Sequence, residues 1–142
     1  MTVTLTTDAV CFDDDQSLLL VRRRNEPFKG LLALPGGKVE TGETAEAACL
    51  RELREETGLV GEWQTLVGVY SEPSRDPRGR WVTVAYLVSP RGIATRSGSD
   101  ASSVEWIKNW REVRLACDHS VIARDALATL HRRNDVLAKK MK

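Results

Sequence analysis

The stretch GKVETGETAEAACLRELREETGL, residues 37–59, decides the fold. Thr44 supplies a side-chain oxygen that can cap the first turn of a helix, and the alanines, leucines and glutamates after it are good helix formers. Gly58 is the residue type that most often ends a helix in the left-handed conformation. The stretch therefore predicts a helix from Ala45 to Thr57. Its expected core-facing residues are Cys49, Leu50 and Leu53.

Carboxylates crowd one face of this predicted helix. Glu52, Glu55 and Glu56 stand at positions i, i+3 and i+4, where each pair of like charges destabilises a helix by a few tenths of a kcal/mol. They also lie near the helix C-terminus, where the macrodipole disfavours negative charge. One interpretation is a solvated acidic face partly neutralised by Arg51 and Arg54. The other is a site for a hard cation such as Mg²⁺, which prefers oxygen ligands.

The spacing of the whole stretch favours the cation site. Its defining residues, in order, are Gly37, Glu43, Arg51, Glu52, Leu53, Glu55, Glu56, Gly58 and Leu59. This pattern, G-x5-E-x7-R-E-U-x-E-E-x-G-U with U aliphatic, resembles the complete Nudix box of the Nudix hydrolases, and every fixed position is filled. The preceding Leu34-Pro35-Gly36-Gly37 also resembles the usual lead-in to that box.

The resemblance implies a fold, an activity and a cofactor. Nudix hydrolases cleave a nucleoside diphosphate linked to another group, and they use Mg²⁺ or Mn²⁺. The implied architecture is an α/β/α sandwich around a mixed β-sheet, here as a single domain over residues 1–142. The residues that match the family's metal-binding positions are Gly37, through its carbonyl, Glu52, Glu55 and Glu56. Arg51 matches the arginine that orients the helix glutamates, often with the residue at Glu43.

Composition fits a small intracellular enzyme. The chain has 142 residues, the length of one domain, and a net charge of +1, which gives no bulk field to recruit nucleic acid or membrane. No apolar run is long enough to span a membrane, and the N-terminus lacks the pattern of a signal peptide. The three cysteines are odd in number and irregularly spaced, which favours reduced thiols and a cytoplasmic location. The sequence leaves a homodimer open.

The rest of the chain predicts mostly strands. They are expected over residues 2–12, 17–22, 31–34, 62–71, 81–88 and 104–107, the first two forming a hairpin through the turn at residues 13–16. Loops are expected at residues 25–30 and 72–79. A second helix is expected over residues 120–137, with an apolar stripe of Ile122, Ala126 (or Ala123), Leu127, Leu130 and Leu137.

The loop at residues 72–79, EPSRDPRG, carries information on the substrate. Together with NEPFKG at residues 25–30, it resembles the ADP-ribose pyrophosphatases of bacteria and archaea and a related group of ADP-ribose-sensing regulators. Glu72, where Asp is commoner, and Leu32, where Trp is commoner, depart from that subgroup and leave the substrate open. Arg75 and Arg78 offer forked donors to phosphate or ribose. The alternative is a solvated loop in which pairs with Asp76 maintain the shape.

Further candidates lie outside both motifs. Arg23 is the candidate for contact with a terminal phosphate, and Phe28 for contact with an adenine or a partner subunit. Glu105 lies where some ADP-ribose pyrophosphatases supply a catalytic glutamate, and it is equally compatible with a solvent-facing strand residue. For His119 a structural hydrogen bond is favoured over a catalytic role. The tryptophans interpreted as core or interface residues are Trp63, Trp81, Trp106 and Trp110.

Three functions remain at this point. The first is hydrolysis of ADP-ribose to AMP and ribose 5-phosphate, which the loop at residues 72–79 favours. The second is hydrolysis of nucleoside triphosphates, for example to remove oxidised dGTP. The third is a non-catalytic ADP-ribose sensor that regulates transcription. Such sensors add a DNA-binding domain and often lack box glutamates, whereas this chain keeps all of them and ends at Lys142, so catalysis is expected.

Overall fold

The computed structural model describes residues 2–92 and 101–141, and within them it contains two β-sheets and two long helices. The first sheet comprises β1 (Thr4–Val10), β4 (Gly36–Lys38), β5 (Val60–Tyr70) and β6 (Trp81–Arg91), in the spatial order β4-β1-β6-β5. The second comprises β2 (Leu18–Arg23), β3 (Leu32–Ala33) and β7 (Ala101–Ile107), in the order β3-β2-β7. The helices are α1 (Ala45–Thr57) and α2 (His119–Lys140), and a short 3₁₀ helix spans Trp110–Glu112.

The strand β1 lies inside the first sheet because both of its edges are paired. It runs parallel to β6, with Asp8 beside Ala85, and antiparallel to β4, with Asp8 opposite Gly36. This is the predicted mixed sheet. The strand β4, which the sequence did not predict, brings the glycines before α1 against the middle of β1.

Helix α1 confirms its prediction at both ends. Thr44 has extended backbone angles, and its hydroxyl accepts a hydrogen bond from the N–H of Ala47 over 3.0 Å. Gly58 takes the left-handed conformation at φ 80°, and its N–H donates to the carbonyl of Arg54. These local signals define the helix bounds because each satisfies a backbone group that the helix end leaves unpaired.

Successive side chains of β1 point to opposite faces of the sheet, and the core is accordingly divided into two apolar clusters, one under each helix. The cluster under α1 includes Ala9, Cys11, Leu19, Cys49, Leu53, Leu59 and Val88. The cluster under α2 includes Val10, Leu18, Leu20, Leu87, Trp110, Ile122, Ala123 and Ala126. Leu50, expected in the core, is only half-buried. Strand residues from both sheets contribute to each cluster, so the helices pack on opposite sides of the strand layer.

The predicted hairpin of β1 and β2 forms only beside its turn, where the N–H of Leu19 donates to the carbonyl of Cys11. The turn itself is present, since the Asp13 carboxylate accepts hydrogen bonds from the N–H groups of Asp15 and Ser17. Beyond a bridge between Phe12 and Leu18, however, the two strands enter different sheets. The reason is that β4 and β6 already occupy both edges of β1.

Helix α2 extends beyond the core that it covers. Ile122, Ala123, Ala126 and Leu127 are buried as predicted, but Leu137 is 41% exposed, which corrects its assignment to the apolar stripe. All residues of the last turns, 134–140, are exposed. No helix in the described part of the chain is both long and apolar enough to cross a membrane.

Candidate active site

A cavity of about 540 Å³ is lined by residues of both sheets, helix α1 and the start of α2. The first sheet contributes β1, β4 and the start of β6, and the second contributes β2 and β3. The loop at residues 72–79 forms a further part of the lining. Residues that the sequence places far apart therefore meet around one space.

Two of the predicted glutamates line this cavity, and the third does not. Glu52 and Glu56 both contribute to the lining, and Glu56 accepts a hydrogen bond from the N–H of Gly36 over 3.0 Å. Glu55 points away from the lining, is 55% exposed and forms an ion pair with Arg51. Of the three glutamates on the predicted helix face, Glu52 and Glu56 therefore form a pair in the cavity, called here the cavity pair, and Glu55 faces solvent.

Arg51 connects the glutamates to the loop before the helix. Its guanidinium donates to Glu43 over 2.7 and 3.0 Å, to Glu52 over 2.9 Å and to Glu55 over 3.2 Å. It also donates to the carbonyl of Lys38 over 3.1 Å. Hydrogen bonds from Arg51 lower the pKa of Glu43 to about 2. A guanidinium with this many acceptors has little freedom to move, so Arg51 fixes the position of the Glu52 carboxylate.

The cavity pair carries more negative charge than the protein groups around it neutralise. Burial raises the pKa of Glu52, although Arg51 acts in the opposite direction. Burial and the nearby Glu52 charge raise the pKa of Glu56 well above its usual range. A bound cation would remove both penalties, because it replaces the water that the carboxylates lose.

The backbone beside the pair also fits a cation. A Cβ on Gly37 would lie 2.6 Å from the Glu52 carboxyl carbon, so only glycine lets the backbone approach this closely. Within residues 2–92 and 101–141, no three His, Cys, Asp or Glu side chains form a ready cluster for a metal ion. The two carboxylates suit Mg²⁺, which binds through one or two carboxylates and retains several waters.

The loop at residues 72–79 is attached to the rest of the protein by ion pairs. Arg75, only 4% exposed, donates to both carboxylate oxygens of Asp118 over 2.7 and 2.9 Å and to the carbonyl of Trp81. Arg78 donates to both oxygens of Asp76 over 2.7 and 3.0 Å. The pairing alternative that assigned Asp76 to Arg75 as well is therefore wrong: Arg75 pairs with the residue before α2.

The two arginines differ in what they can offer a ligand. All three nitrogens of the Arg75 guanidinium donate within the protein. Arg78 is 34% exposed, and its guanidinium carbon lies 3.5 Å from the centroid of the Trp81 ring, a cation–π contact. Arg78 and Trp81 thus present a flat guanidinium–indole surface to the cavity, with the guanidinium paired to Asp76, and Arg75 stabilises the loop that carries Arg78.

Arg23 and Phe28 also line the cavity, as predicted for substrate-binding residues. Arg23 donates from Nε to the carbonyl of Pro27 over 2.7 Å, which ties β2 to the loop at residues 25–30. Phe28 has φ 63°, and it packs beside Val21 and Ala33. The loop and strand therefore form one wall together.

The structure does not bring Glu105 to this site. Its carboxylate accepts from Arg22 Nε over 3.2 Å and from Ser103, and it is absent from the cavity lining. The register of β7 against β2 causes this, because Glu105 lies beside Leu20 and near Arg22. This position favours the alternative, a strand residue in an ion pair, over the catalytic role.

Sequence reasoning missed several residues of the lining. Trp81 was interpreted as a core or interface residue, and Asp8 and Cys117 were not considered for the site. A sequence signal for Asp8 did exist, since it is the only acidic residue in the strand TLTTDAV and a buried charge in a strand needs a reason. His119 was predicted to hydrogen-bond structurally, and its Nδ1 accepts from the N–H of Leu34 over 3.0 Å.

The chain is similar to several known proteins. The family model described as NUDIX domain matches residues 3–125. An ADP-ribose pyrophosphatase of Methanocaldococcus jannaschii is 44% identical over 80% of this chain and 67% of its own length. An ADPR responsive transcriptional repressor of Acinetobacter baylyi is 33% identical over 89% of this chain, and the match spans only 54% of the repressor. The NUDIX domain of Shewanella oneidensis NrtR, in a structure complexed with ADP ribose, superposes with a TM-score of 0.83 at 34% identity, covering 92% of this chain and 90% of that one.

Proposed function

Because this chain belongs to the NUDIX domain family, we propose that it is a divalent-cation-dependent pyrophosphohydrolase that converts ADP-ribose and water to AMP and ribose 5-phosphate. One observation carries the proposal: the Glu52–Glu56 pair and the stacked Arg78–Trp81 side chains line the same cavity. The family, the fold and the class of activity predicted from the sequence are confirmed. The relative from Methanocaldococcus jannaschii and the domain complexed with ADP ribose support the choice of substrate.

The residues of the cavity supply distinct parts of the reaction. Glu52, Glu56 and the carbonyl of Gly37 would bind the cation, which when present neutralises diphosphate charge and lowers the pKa of a bound water. Arg51 keeps Glu52 in position through its contact with Glu43. Glu55, on the solvent side of Arg51, is assigned an indirect part in the proposal because it shares that guanidinium.

Other residues of the lining would bind the parts of the substrate on either side of the diphosphate. Arg78 would donate to a phosphate or stack on a base, since its guanidinium face lies on Trp81. Arg23 would approach the terminal phosphate, and Phe28 the adenine. Arg75 would act on the substrate only through the loop that it anchors to Asp118.

The proposal extends to the cation, the domain bounds, the cellular location and the partners. The cation is Mg²⁺ or Mn²⁺, the domain spans residues 1–142, and the protein acts in the cytoplasm on a small nucleotide without a nucleic-acid or membrane partner. A homodimer stays open. A second candidate, ADP-ribose sensing without hydrolysis, draws on the similarity to the Acinetobacter baylyi repressor. The intact glutamate pair in the cavity favours hydrolysis over sensing alone.

A substrate panel tests the proposal. Purified protein is assayed with Mg²⁺ and Mn²⁺ against ADP-ribose, other nucleotide sugars, dinucleoside polyphosphates and dNTPs, with products separated by chromatography. We expect ADP-ribose to give AMP and ribose 5-phosphate with the highest kcat/KM. Glu56→Gln should lower kcat at least about 100-fold, the scale of losing one electrostatic catalytic group. Glu62→Gln, the same change on exposed β5, is the matched control.

The outcomes separate the candidates. A tenfold preference for dNTPs would replace ADP-ribose with a nucleoside triphosphate as the substrate. Binding of ADP-ribose without turnover, measured by calorimetry in Mg²⁺, would favour the sensor. Turnover that is equal in wild type and Glu56→Gln would show that the glutamate pair is not the active site.

A further inference from the structure

Two buried polar side chains in the cavity take no part in the chemistry proposed above. Asp8 in β1 and His119 at the start of α2 both contribute to the lining, with side chains 9% and 10% exposed. Burying polar groups at this depth is unfavourable unless hydrogen bonds compensate. The pair therefore needs either a structural or a ligand-binding explanation.

One polar atom of each of these two side chains already has a hydrogen-bond partner. The hydroxyl of Thr83 donates to Asp8 Oδ2 over 2.6 Å, and the N–H of Leu34 donates to His119 Nδ1 over 3.0 Å. A ring nitrogen that accepts an N–H carries no proton, so the proton of the neutral imidazole lies on Nε2. Burial lowers the pKa of His119, which keeps the ring in this neutral form.

The remaining polar atoms of the two side chains, Asp8 Oδ1 and His119 Nε2, face each other with a gap between them. His119 Nε2 lies 3.7 Å from Asp8 Oδ1, beyond the range of a direct N–H···O hydrogen bond. Among the described residues, no group donates a hydrogen bond to Asp8 Oδ1. The cavity therefore presents one acceptor and one donor side by side. A hydroxyl group matches this pair, since it donates one hydrogen bond and accepts another, whereas an ammonium group only donates and a phosphate oxygen only accepts.

The location of the pair indicates which hydroxyl it meets. Asp8 lies opposite Gly36 in the sheet, and the N–H of Gly36 donates to Glu56. The pair is thus next to the glutamates that would bind the cation and the diphosphate. In ADP-ribose, the groups attached on either side of the diphosphate are riboses, and each carries secondary hydroxyls.

We propose that Asp8 and His119 form a hydroxyl-binding subsite for one ribose of the substrate. The hydroxyl donates to Asp8 Oδ1 and accepts from His119 Nε2–H, and Thr83 and Leu34 keep the two side chains in the required orientation. The subsite rests on the proposed function and adds to it a selectivity for ribose over deoxyribose. A site that hydrogen-bonds a substrate hydroxyl discriminates strongly against an analogue that lacks it, because its own polar groups are then left unpaired.

The test uses wild type, Asp8→Asn and a set of ADP-ribose analogues that each lack one ribose hydroxyl, two on the adenosine ribose and three on the distal ribose, where the anomeric hydroxyl is included. We expect wild type to lose about 10- to 100-fold in kcat/KM with one of the analogues, the scale of a hydrogen bond to a charged group. The identity of that analogue locates the ribose. Asp8→Asn removes the charge and leaves one acceptor oxygen, which Thr83 can occupy, so it should lose a similar factor with ADP-ribose.

The loss of kcat/KM from Asp8→Asn and the loss from the critical analogue should not multiply when the variant is assayed with that analogue. With Asp8→Asn, the critical analogue and ADP-ribose should differ by no more than about threefold, since groups in direct contact are not additive. Asp135→Asn, the same charge change on the exposed face of α2, is the matched control and should behave as wild type. If Asp8→Asn does not fold, the wild-type comparison alone decides, because it requires no substitution.

Three results would overturn the inference. Wild type that hydrolyses every analogue within about threefold of ADP-ribose would mean that the gap binds only a water. Losses that multiply would show that Asp8 acts elsewhere, through the fold. Absence of any ADP-ribose turnover or binding by wild type would overturn the proposed function and this subsite with it, a result distinct from the other two.

Discussion

The close approach of Gly37 to Glu52 allows one prediction to be worked from distances. In Gly37→Ala, the new Cβ would lie 2.6 Å from both the carboxyl carbon and Oε1 of Glu52, and ordinary van der Waals contact begins at 3.4 Å. The carboxylate must therefore move by about 0.8 Å, since the backbone of β4 is fixed by its pairing with β1. Metal sites tolerate errors of about 0.2 Å in ligand distance, and a misplacement of about 1 Å can lower a rate about 100-fold.

We therefore expect Gly37→Ala to lower kcat/KM for ADP-ribose about 100-fold and to raise the Mg²⁺ concentration needed for half-maximal rate. The fold should persist, because the displaced atoms belong to the end of a flexible side chain and φ of Gly37 is not positive. The assay is AMP release across a Mg²⁺ titration, with Tm measured in parallel. Gly68→Ala is the control, since its Cβ would make only ordinary contacts, the nearest at 3.5 Å. Activity of Gly37→Ala within threefold of wild type at every Mg²⁺ concentration would refute the assignment of Glu52 to the cation.

Other perturbations test the same site. A divalent cation at about 100 times its Kd should stabilise wild type by about 2.7 kcal/mol and so raise its Tm. Without cation, Glu56→Gln should have a higher Tm than wild type, and added cation should raise it little further. Equal responses of the two proteins to the cation would count against Glu56 as a ligand. Arg78→Ala should lower kcat/KM for ADP-ribose about tenfold with little change in Tm. Arg75→Ala should instead lower Tm by several degrees, because Asp118 is left unpaired. A loss of Tm in Arg78→Ala and of kcat/KM alone in Arg75→Ala would contradict these roles. Burial lowers the pKa of His119, so below about pH 6.5 the unfolded chain binds a proton there that the folded chain does not, and the contribution of His119 to stability should fall as the pH falls. His119→Gln should therefore lose less Tm than wild type when the pH is lowered from about 6.5 to about 5, and a slope equal to that of wild type would assign the pH dependence to other groups.

The elements that local signals specify were predicted well. Helix α1 has its cap, its left-handed end and its spacing within one stretch, and its observed bounds match the prediction. The family and the fold follow from the same stretch and are confirmed by the match over residues 3–125. The bonds from Arg51 to Glu43 and Glu52 also agree with the orienting role that the resemblance implied.

The elements that depend on distant partners were predicted poorly. Nothing in β1 indicates that β4 and β6 will occupy its edges, so a full hairpin with β2 was expected, and only its turn end forms. Glu105 shows the same limit, because the register of β7 decides which side chain it meets. Asp8 became a cavity residue only through the pairing of three strands, and helical periodicity could not reveal that Glu55 faces solvent while its neighbour Glu56 is buried.

The origin of the cavity lining from separate elements has a consequence for how this protein could change over time. The glutamates, Arg51 and Gly37 lie within one continuous segment of 23 residues, whereas the groups proposed to contact the nucleotide come from β1, β2, two loops and the start of α2. Replacements in those outer elements can alter the accepted nucleotide without moving the hydrolytic apparatus. A new specificity can therefore arise by small steps in a scaffold that remains active throughout, and libraries restricted to residues 25–30 and 72–79 would be the place to select one.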